Sequence, residues 1–215
     1  MAERYLRQSA LAHLGLDGRA ATGRGEAGVR MAEAAFRGIV DLRGKPADAR
    51  LLEAFETAFG FALPVEPNTS AAKGTGKGRV SALWLGPDEW WVIVPGPDPE
   101  AAPKIAGKLR KALAGRFCAV TEVGESRACI RVSGPRARDL LQKGSPLDFH
   151  PRAFGAGGCA QSHLAKAAVV FHQVADDKAR DGPAFEIYVP RSFAEYLWRW
   201  LEDAAREYGV SVVSD

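Results

Sequence analysis

The stretch "WWVIVP" at residues 90–95 constrains the fold of this chain most, because it is a strand with two apolar faces. Alternate side chains of a strand point to opposite sides, so Trp90 and Val92 share one face while Trp91 and Ile93 share the other. A strand that is apolar on both faces is covered on both. One tryptophan therefore packs on the chain's own helices. The other meets a second sheet, the other half of the chain or another protein.

The same tryptophan pair could instead be a stacking platform for a ligand ring. Such a platform needs polar groups close by that orient the ligand, and only Asp88 and Glu89 are local in the sequence. We therefore expect Trp90 and Trp91 to serve packing and a subunit interface rather than chemistry.

Residues 29–124 and 125–215 form two halves with a similar order of elements. In the first half a strand, a helix, a hairpin, a second helix and a final strand follow one another. The second half repeats this order and contains a long helix with a capping box formed by Ser192 and Glu195. Two βαββαβ-like halves predict an α+β fold with antiparallel sheets and helices packed on them. The two halves could also form one compact domain.

The first 28 residues differ in composition, since they are rich in Gly, Ala and Arg and hold few large apolar groups. We expect residues 1–28 to be an extended N-terminal arm that makes few contacts within its own domain. Its "GRGEAG" matches the dinucleotide-binding spacing of glycines, but no strand precedes it. The loop "KGTGKG" at residues 73–78 lacks the first glycine and the final Ser or Thr of a phosphate-binding loop. Neither motif predicts a cofactor site.

Charge and composition exclude several function classes. A net charge of +3 is too small to indicate nucleic-acid binding. The sequence has no apolar run of the roughly 20 residues that span a membrane, and no signal-peptide pattern. Three well-separated cysteines and four histidines lack the spacing of a disulfide framework or a metal site. We expect a cytoplasmic protein without a metal and without a membrane or nucleic-acid partner.

One segment, "RVSGPRARDLLQKG", predicts a possible anion-binding site. A strand leads into Ser133 and Gly134, and a helix begins there, so unbonded N–H groups and the charges of nearby arginines meet. The candidate ligands of the anion are Ser133, Gly134, Arg131, Arg136 and Arg138. The alternative is that these arginines form the solvated basic face of a short helix.

The last long helix raises a second interface question. Phe193, Leu197 and Trp200 recur at helical spacing and predict its buried stripe. Trp198 falls off that stripe, so it is a candidate interface anchor. A loop of the same chain packed over Trp198 is the alternative.

Four stretches of the chain carry a family resemblance: "LGPDEWWVI", "ESRACIRVSGPRARDLLQKGSPLDFHPRAF", "CAQSHLAKAAVVFHQV" and "FEIYVPRSFAEYLWRWL". Together they resemble the gamma subunit family of heterotetrameric sarcosine oxidase over roughly residues 30–207. The segment "SGPRARDLLQKG" is also similar, more loosely, to glycine-cleavage T-protein and its folate-binding relatives. The resemblance implies an aminomethyltransferase-like fold.

The resemblance also implies a function. The complex oxidises sarcosine to glycine, with electrons passing to oxygen and the one-carbon unit to tetrahydrofolate or formaldehyde. The gamma subunit is non-catalytic and carries no cofactor, while FAD, FMN and NAD belong to partner subunits among alpha, beta and delta. No catalytic residue is carried over to this chain. The alternative is a stand-alone module that binds tetrahydrofolate or another anion at the helix start after Ser133.

Overall fold

Two β-sheets and five α-helices form the framework of the fold in the computed structural model, which describes residues 7–22, 27–96, 98–176, 178 and 182–215. The strands are β1 (Val29–Glu33), β2 (Gly38–Gly44), β3 (Ser70–Lys73), β4 (Val80–Gly86), β5 (Glu89–Val94), β6 (Cys118–Glu122), β7 (Arg127–Ser133), β8 (Cys159–Leu164), β9 (Ala167–Ala175), β10 (Ala184–Pro190) and β11 (Val210–Val212). The helices are α1 (Leu16–Thr22), α2 (Ala49–Phe59), α3 (Ala101–Ala112), α4 (Ala137–Gln142) and α5 (Ala194–Ala205).

The strand order is similar in the two sheets. One sheet has the order β11-β1-β7-β10-β9-β8, and the other has the order β3-β4-β5-β2-β6. If β1 is left aside, the order of the first sheet matches that of the second read backwards. Neighbouring strands are antiparallel apart from the parallel pair of β1 and β11. The predicted α+β class with antiparallel sheets and packed helices is therefore confirmed, with one parallel pair added.

Strand β1 pairs with β7 and β11, although it lies within residues 29–124 of the sequence. The sequence predicts one bent strand through residues 29–44, but the chain leaves one sheet after Glu33 and enters the other at Gly38. Phe36 turns the chain there with a φ of 60°. Gly96 passes so close that a Cβ on it would lie 2.5 Å from the Phe36 carbonyl oxygen. The division into two halves stays a prediction.

Three apolar layers follow from the alternation of strand side chains. Trp90 and Val92 face α2 and α3 across one outer layer, and Val132 faces α4 and α5 across the other. Trp91 and Ile93 point to the opposite side of β5 and enter the layer between the two sheets. The requirement that both faces of β5 be covered is met within this one chain.

Local hydrogen bonds fix both ends of helix α2. The Asp48 side chain accepts hydrogen bonds from the amides of Arg50 and Leu51, at 3.1 and 3.3 Å. Gly60 ends the helix with a φ of 74°, and its N–H donates to the Glu56 carbonyl.

Helix α5 begins one residue later than a cap at Ser192 would predict. A 3₁₀ turn at Arg191–Phe193 precedes it, and no side chain caps its first turn, so the capping box predicted at Ser192 is wrong. Leu197, Trp198 and Leu201 are buried, whereas Phe193 is 44% exposed. The 3₁₀ turn places Phe193 before the regular helix, so its position does not follow the 100° spacing that the stripe assumed.

The prediction of an arm with few contacts is wrong for the described residues of 1–28. Leu11 is fully buried in the core under α5, and its amide donates to a carboxylate oxygen of Glu33 at 3.2 Å. Arg7 forms an ion pair with Glu125. Leucine and alanine side chains of this segment are large enough to close the end of the core. Residues 1–6 and 23–26, which hold the first glycines of "GRGEAG", lie outside the described residues.

Candidate functional site

The structure does not bring together the three arginines of the predicted anion site. Arg131 lies on β7, where its Nη1 is 3.5 Å from the Asp215 carboxylate between the sheets. Arg136 lies at the surface, pairs with Asp139 at 3.1 Å and covers the Tyr208 ring. Arg138 points the opposite way, into the core beneath α4.

Arg138 makes contacts within the protein that stabilise the fold. Its guanidinium donates to the carbonyls of Phe149 and Phe154 and to the side-chain oxygen of Gln173, with the last two at 2.9 and 3.2 Å. It also covers the Phe185 ring at 5.4 Å. These bonds hold the loop after α4 against the sheet.

The backbone at Ser133 and Gly134 is also engaged. The Arg136 N–H donates to the Gly28 carbonyl at 2.9 Å, and the Ala137 N–H donates to the Gly134 carbonyl at 3.1 Å. Gly134 has a φ of 118°, and a Cβ on it would lie 2.5 Å from the Gly28 oxygen. Gly134 is therefore needed where the backbone passes close to Gly28. The helix start lacks the convergent donors of an anion site, and the prediction is corrected to a structural turn.

The three tryptophans predicted at an interface are all buried within the chain. Trp90 is fully buried, and its Nε1 donates to the Pro64 carbonyl at 2.6 Å. Trp91 is 4% exposed and meets Tyr188 of the opposite sheet edge to face at 6.0 Å. Trp198 is fully buried among the core residues of α5. The interface assignment is thus replaced by core packing, because the covering elements belong to the same chain.

A buried polar cluster lies between the sheets instead. Arg37 donates to a Glu186 carboxylate oxygen at 2.6 Å and lies 3.1 Å from Asp215. Tyr188 donates its hydroxyl to the other Glu186 oxygen. Burial alone would raise the pKa of Glu186, but Arg37 and the Tyr188 hydroxyl hold it below its usual range. Burial and the Glu186 charge raise the pKa of Tyr188, so this hydroxyl keeps its proton.

His172 borders the same cluster from β9. Its Nε2 lies 3.1 Å from the Ser70 hydroxyl, which donates to the Gly157 carbonyl at 2.8 Å. Burial lowers the pKa of His172 to about 4, so its ring is neutral. Cys159 lies opposite His172 on β8. Burial raises the pKa of the Cys159 thiol to about 12, which leaves it a protonated thiol rather than a nucleophile.

Sequence reasoning missed this cluster, although one signal was present. Glu186, His172 and Gln173 interrupt otherwise apolar strands, "AFEIYVP" and "AAVVFHQVA". A charged residue within a strand that is buried on both faces requires a partner. Arg37, the partner of Glu186, lies 149 residues away in the sequence. Only the packing of the two sheets brings the pair together.

The exposed surface carries a few large apolar side chains. Phe117, in the turn before β6, is 89% exposed. Phe193 and Tyr196 are 44% and 39% exposed, and their rings meet edge to face at 6.4 Å at the start of α5. Exposed aromatic groups of this kind are typical of protein interfaces.

The described residues offer neither a metal site nor a membrane-spanning helix. No group of three or more His, Cys, Asp or Glu side chains within those ranges is arranged to hold a metal ion. Among the helices that the structure describes, none combines the length and the apolar character that spanning a membrane requires.

Comparison with known proteins gives one consistent family. Residues 43–207 match the model of the "Sarcosine oxidase, gamma subunit family". The chain is 32% identical over 213 residues to the sarcosine oxidase subunit gamma of Corynebacterium sp. strain U-96, covering 97% of this chain and 95% of that one. It is 33% identical over 189 residues to the corresponding subunit of an Arthrobacter species, covering 86% and 84%.

The solved structures agree with these sequence matches. The chain superposes on a chain of heterotetrameric sarcosine oxidase from Corynebacterium sp. U-96 with a TM-score of 0.78 and 30% identity, covering 95% of this chain and 97% of that one. Aminomethyltransferase T from Bartonella henselae matches with a TM-score of 0.66 and 16% identity, covering 93% of this chain and 51% of the enzyme. The second match shows a shared fold and confirms the aminomethyltransferase-like architecture.

Proposed function

We infer the function from one premise, that the chain belongs to the sarcosine oxidase gamma subunit family. It is a gamma subunit of a heterotetrameric sarcosine oxidase, an oxidoreductase complex, and it is not the catalytic subunit. The observation that carries this function is the superposition on a chain of such a heterotetramer over nearly the whole length of both chains.

We further propose the composition of the complex. The partners of this chain are the alpha, beta and delta subunits, and the partners hold FAD, FMN and NAD. The complex converts sarcosine to glycine by oxidative demethylation, while this chain supports the assembly. A cytoplasmic location, expected from the sequence, stays a prediction.

The interface that joins this chain to its partners is proposed at the exposed aromatic groups. Burying a Phe side chain contributes about 1.5–3 kcal/mol, and Phe117 leaves nearly all of its ring in water. The Phe193–Tyr196 pair offers a second apolar contact on α5. Docking of a larger subunit on these rings would remove them from water, whereas the tryptophans of the core are unavailable to a partner.

Affinity capture tests both the function and the interface. The chain is co-expressed with tagged alpha and beta subunits, and its amount in the captured complex is measured beside sarcosine-dependent oxygen consumption. We expect stoichiometric capture of the parent chain, reduced capture of Phe117→Ser and Phe193→Ser, and unchanged capture of the surface control Thr57→Ala. A parent chain that never joins the complex contradicts the proposed function. Unchanged capture of both Phe variants contradicts only the placement of the interface.

The stand-alone folate or anion module is not favoured. That function required a basic helix start, and Arg131, Arg136 and Arg138 point in three different directions.

A further inference from the structure

We propose that the outer edge of strand β6 binds an extended, acidic segment of a larger subunit of the complex, which adds to the sheet as a further strand. Strand β6 (Cys118–Glu122) is the last strand of its five-stranded sheet and pairs with β2 on one side only. Phe117, which is 89% exposed, directly precedes it. The inference rests on the proposed function, because it names how a partner subunit docks beside Phe117.

The hydrogen bonds between β6 and β2 fix which backbone groups face the sheet. The Val123 N–H, just after β6, donates to the Ile39 carbonyl of β2 at 2.9 Å. The Cα partners of the two strands continue from there without a shift of register. Because residues of an antiparallel pair alternate between bonded and non-bonded positions, Thr121 and Ala119 also turn their N–H and C=O groups toward β2.

The backbone groups of Val120 and Glu122 therefore point away from the sheet. In agreement with this alternation, the Val120 carbonyl accepts a hydrogen bond from the Arg110 side chain of α3 at 3.1 Å. The Arg110 side chain is 54% exposed, so a partner strand displaces it from a contact that water already competes for. The outward N–H groups of Val120 and Glu122 have no partner within the described ranges.

Strand β6 also lacks the features with which proteins usually prevent strand addition. Exposed edge strands are commonly protected by lysine, proline or a β-bulge. The sequence of β6, "CAVTE", contains neither lysine nor proline, and its pairing with β2 has no bulge. Its one charged residue, Glu122, is the last of the strand. The other side chains are small or β-branched, which suits pairing with a neighbouring strand.

The opposite edge of the same sheet is covered by the chain itself. The Ser70 N–H of β3 donates to the Gly157 carbonyl at 2.8 Å, and Thr69 forms a β-bridge with Gly158. A partner strand added to this sheet therefore has room beside β6, where the exposed Phe117 lies as well.

The charges beside β6 favour an acidic segment. Helix α3 and the turn after it, residues 101–117, hold no acidic residue and five basic ones: Lys104, Lys108, Arg110, Lys111 and Arg116. Asp98 lies 3.5 Å from Lys104, and Glu122 lies 3.8 Å from Arg110. Lys111 and Arg116 have no carboxylate partner among the residues described. Complementary charges across an interface speed docking and fix its register, so the excess of positive charge selects Asp or Glu in the partner segment.

Hydrogen–deuterium exchange at single-residue resolution tests the strand addition, with the isolated full chain and the assembled complex measured side by side. The outward amides of Val120 and Glu122 should exchange at least about tenfold more slowly in the complex, because the partner strand bonds them. The amides of Ala119 and Thr121 are bonded to β2 in both states, so they should be protected already in the isolated chain.

Two outcomes of this measurement are distinct. An assembled complex in which Val120 and Glu122 exchange as fast as in the isolated chain overturns the proposal and leaves the proposed function intact. A chain that never joins the complex contradicts the proposed function and this inference with it. Protection of the two amides that rises with the concentration of the isolated chain assigns the edge to a second copy, which overturns the proposed partner.

Val120→Pro tests the same contact by capture with the tagged larger subunits. It removes one outward N–H and spares the bonds to β2, since proline is tolerated in an edge strand where its nitrogen faces solvent. We expect capture to fall by about tenfold or more, whereas the matched Val120→Ala, which keeps the N–H, should stay within about twofold of the parent. Equal capture of Val120→Pro and the parent overturns the proposal. If Val120→Pro melts far below the parent, the exchange measurement decides.

Lys111→Glu tests the acidic character of the partner segment. It should lower capture by about threefold or more at an ionic strength of ~0.05 M and by less at ~0.5 M, because salt screens exposed charges. Arg152→Glu, an exposed position on the loop before β8, is the matched charge reversal and should leave capture unchanged. Equal effects of the two reversals overturn the assignment of an acidic segment.

Discussion

Replacing Trp198 separates a core role from an interface role. The side chain has no exposed surface and packs in the core beneath α5. Emptying a buried tryptophan site costs about 3–5 kcal/mol. In a protein of 215 residues, each kcal/mol lowers the melting temperature by roughly 2–4 °C. Trp198→Ala should therefore lower the melting temperature of the isolated chain by about 6–20 °C.

A second substitution at Trp198 checks the mechanism. The indole Nε1 is buried and has no hydrogen-bond partner among the residues described, and an unpaired buried donor costs about 1–3 kcal/mol. Trp198→Phe keeps most of the ring and removes that donor, so we expect less than half of the loss seen for alanine. Urea denaturation measures both free energies of unfolding.

Tyr196 provides the matched control on the same helix. It is 39% exposed, so Tyr196→Ala should change the free energy of unfolding by at most about 1 kcal/mol while weakening capture by the larger subunits. The reverse pattern would refute the reasoning. In that pattern Trp198→Ala would keep the parent's melting temperature and lose only its capture by partners.

Three further predictions follow from other contacts. Leu11→Ala should lower the free energy of unfolding by about 2–5 kcal/mol in urea denaturation, whereas exposed His13→Ala should change it by less than about 0.5 kcal/mol. Equally small effects of the two substitutions would instead support an N-terminal arm that makes few contacts. Removing one partner of the buried Arg37–Glu186 pair, as in Arg37→Met, should cost about 3–5 kcal/mol, and a loss below about 1 kcal/mol would contradict the pairing. Burial and the neighbouring Glu89 raise the pKa of Asp41 from 3.8 to about 6. The folded state thus binds more protons than the unfolded state between these values, and the free energy of unfolding falls as pH rises through that window. Asp41→Asn should therefore melt higher than the parent at pH 7 and alike near pH 4, and identical shifts at both pH values would argue against it.

The sequence predicted some parts of the fold that depend on local chemistry, although the capping box at Ser192 was wrong. Gly60, which the sequence predicts as the stop of α2, does end that helix in a left-handed turn. The two apolar faces of β5 likewise required cover on both sides. Which element covers Trp91 was not readable, because Tyr188 of the other sheet lies nearly one hundred positions away in the sequence.

The errors at α5 and at the N-terminal segment share a physical cause. A stripe at 100° per residue assumes that the helix is regular from its first residue, and the 3₁₀ turn at Arg191–Phe193 breaks that assumption. Composition indicated an arm because residues 1–28 hold few large apolar groups, but a single fully buried leucine, Leu11, and two bonds to Glu33 anchor the segment.

The buried polar cluster shows the limit of pattern reasoning for this chain. Arg131 belonged to a basic segment in the sequence, and its neighbours Arg136 and Arg138 suggested a common ligand. Strand alternation sends Arg131 to the inter-sheet side, while Arg138 follows the helix into the opposite core. The residues that do converge, Glu186 and His172, come from strands that pair only in the folded sheet. This buried polar cluster is defined by strand register, so it becomes visible only once the strands are paired.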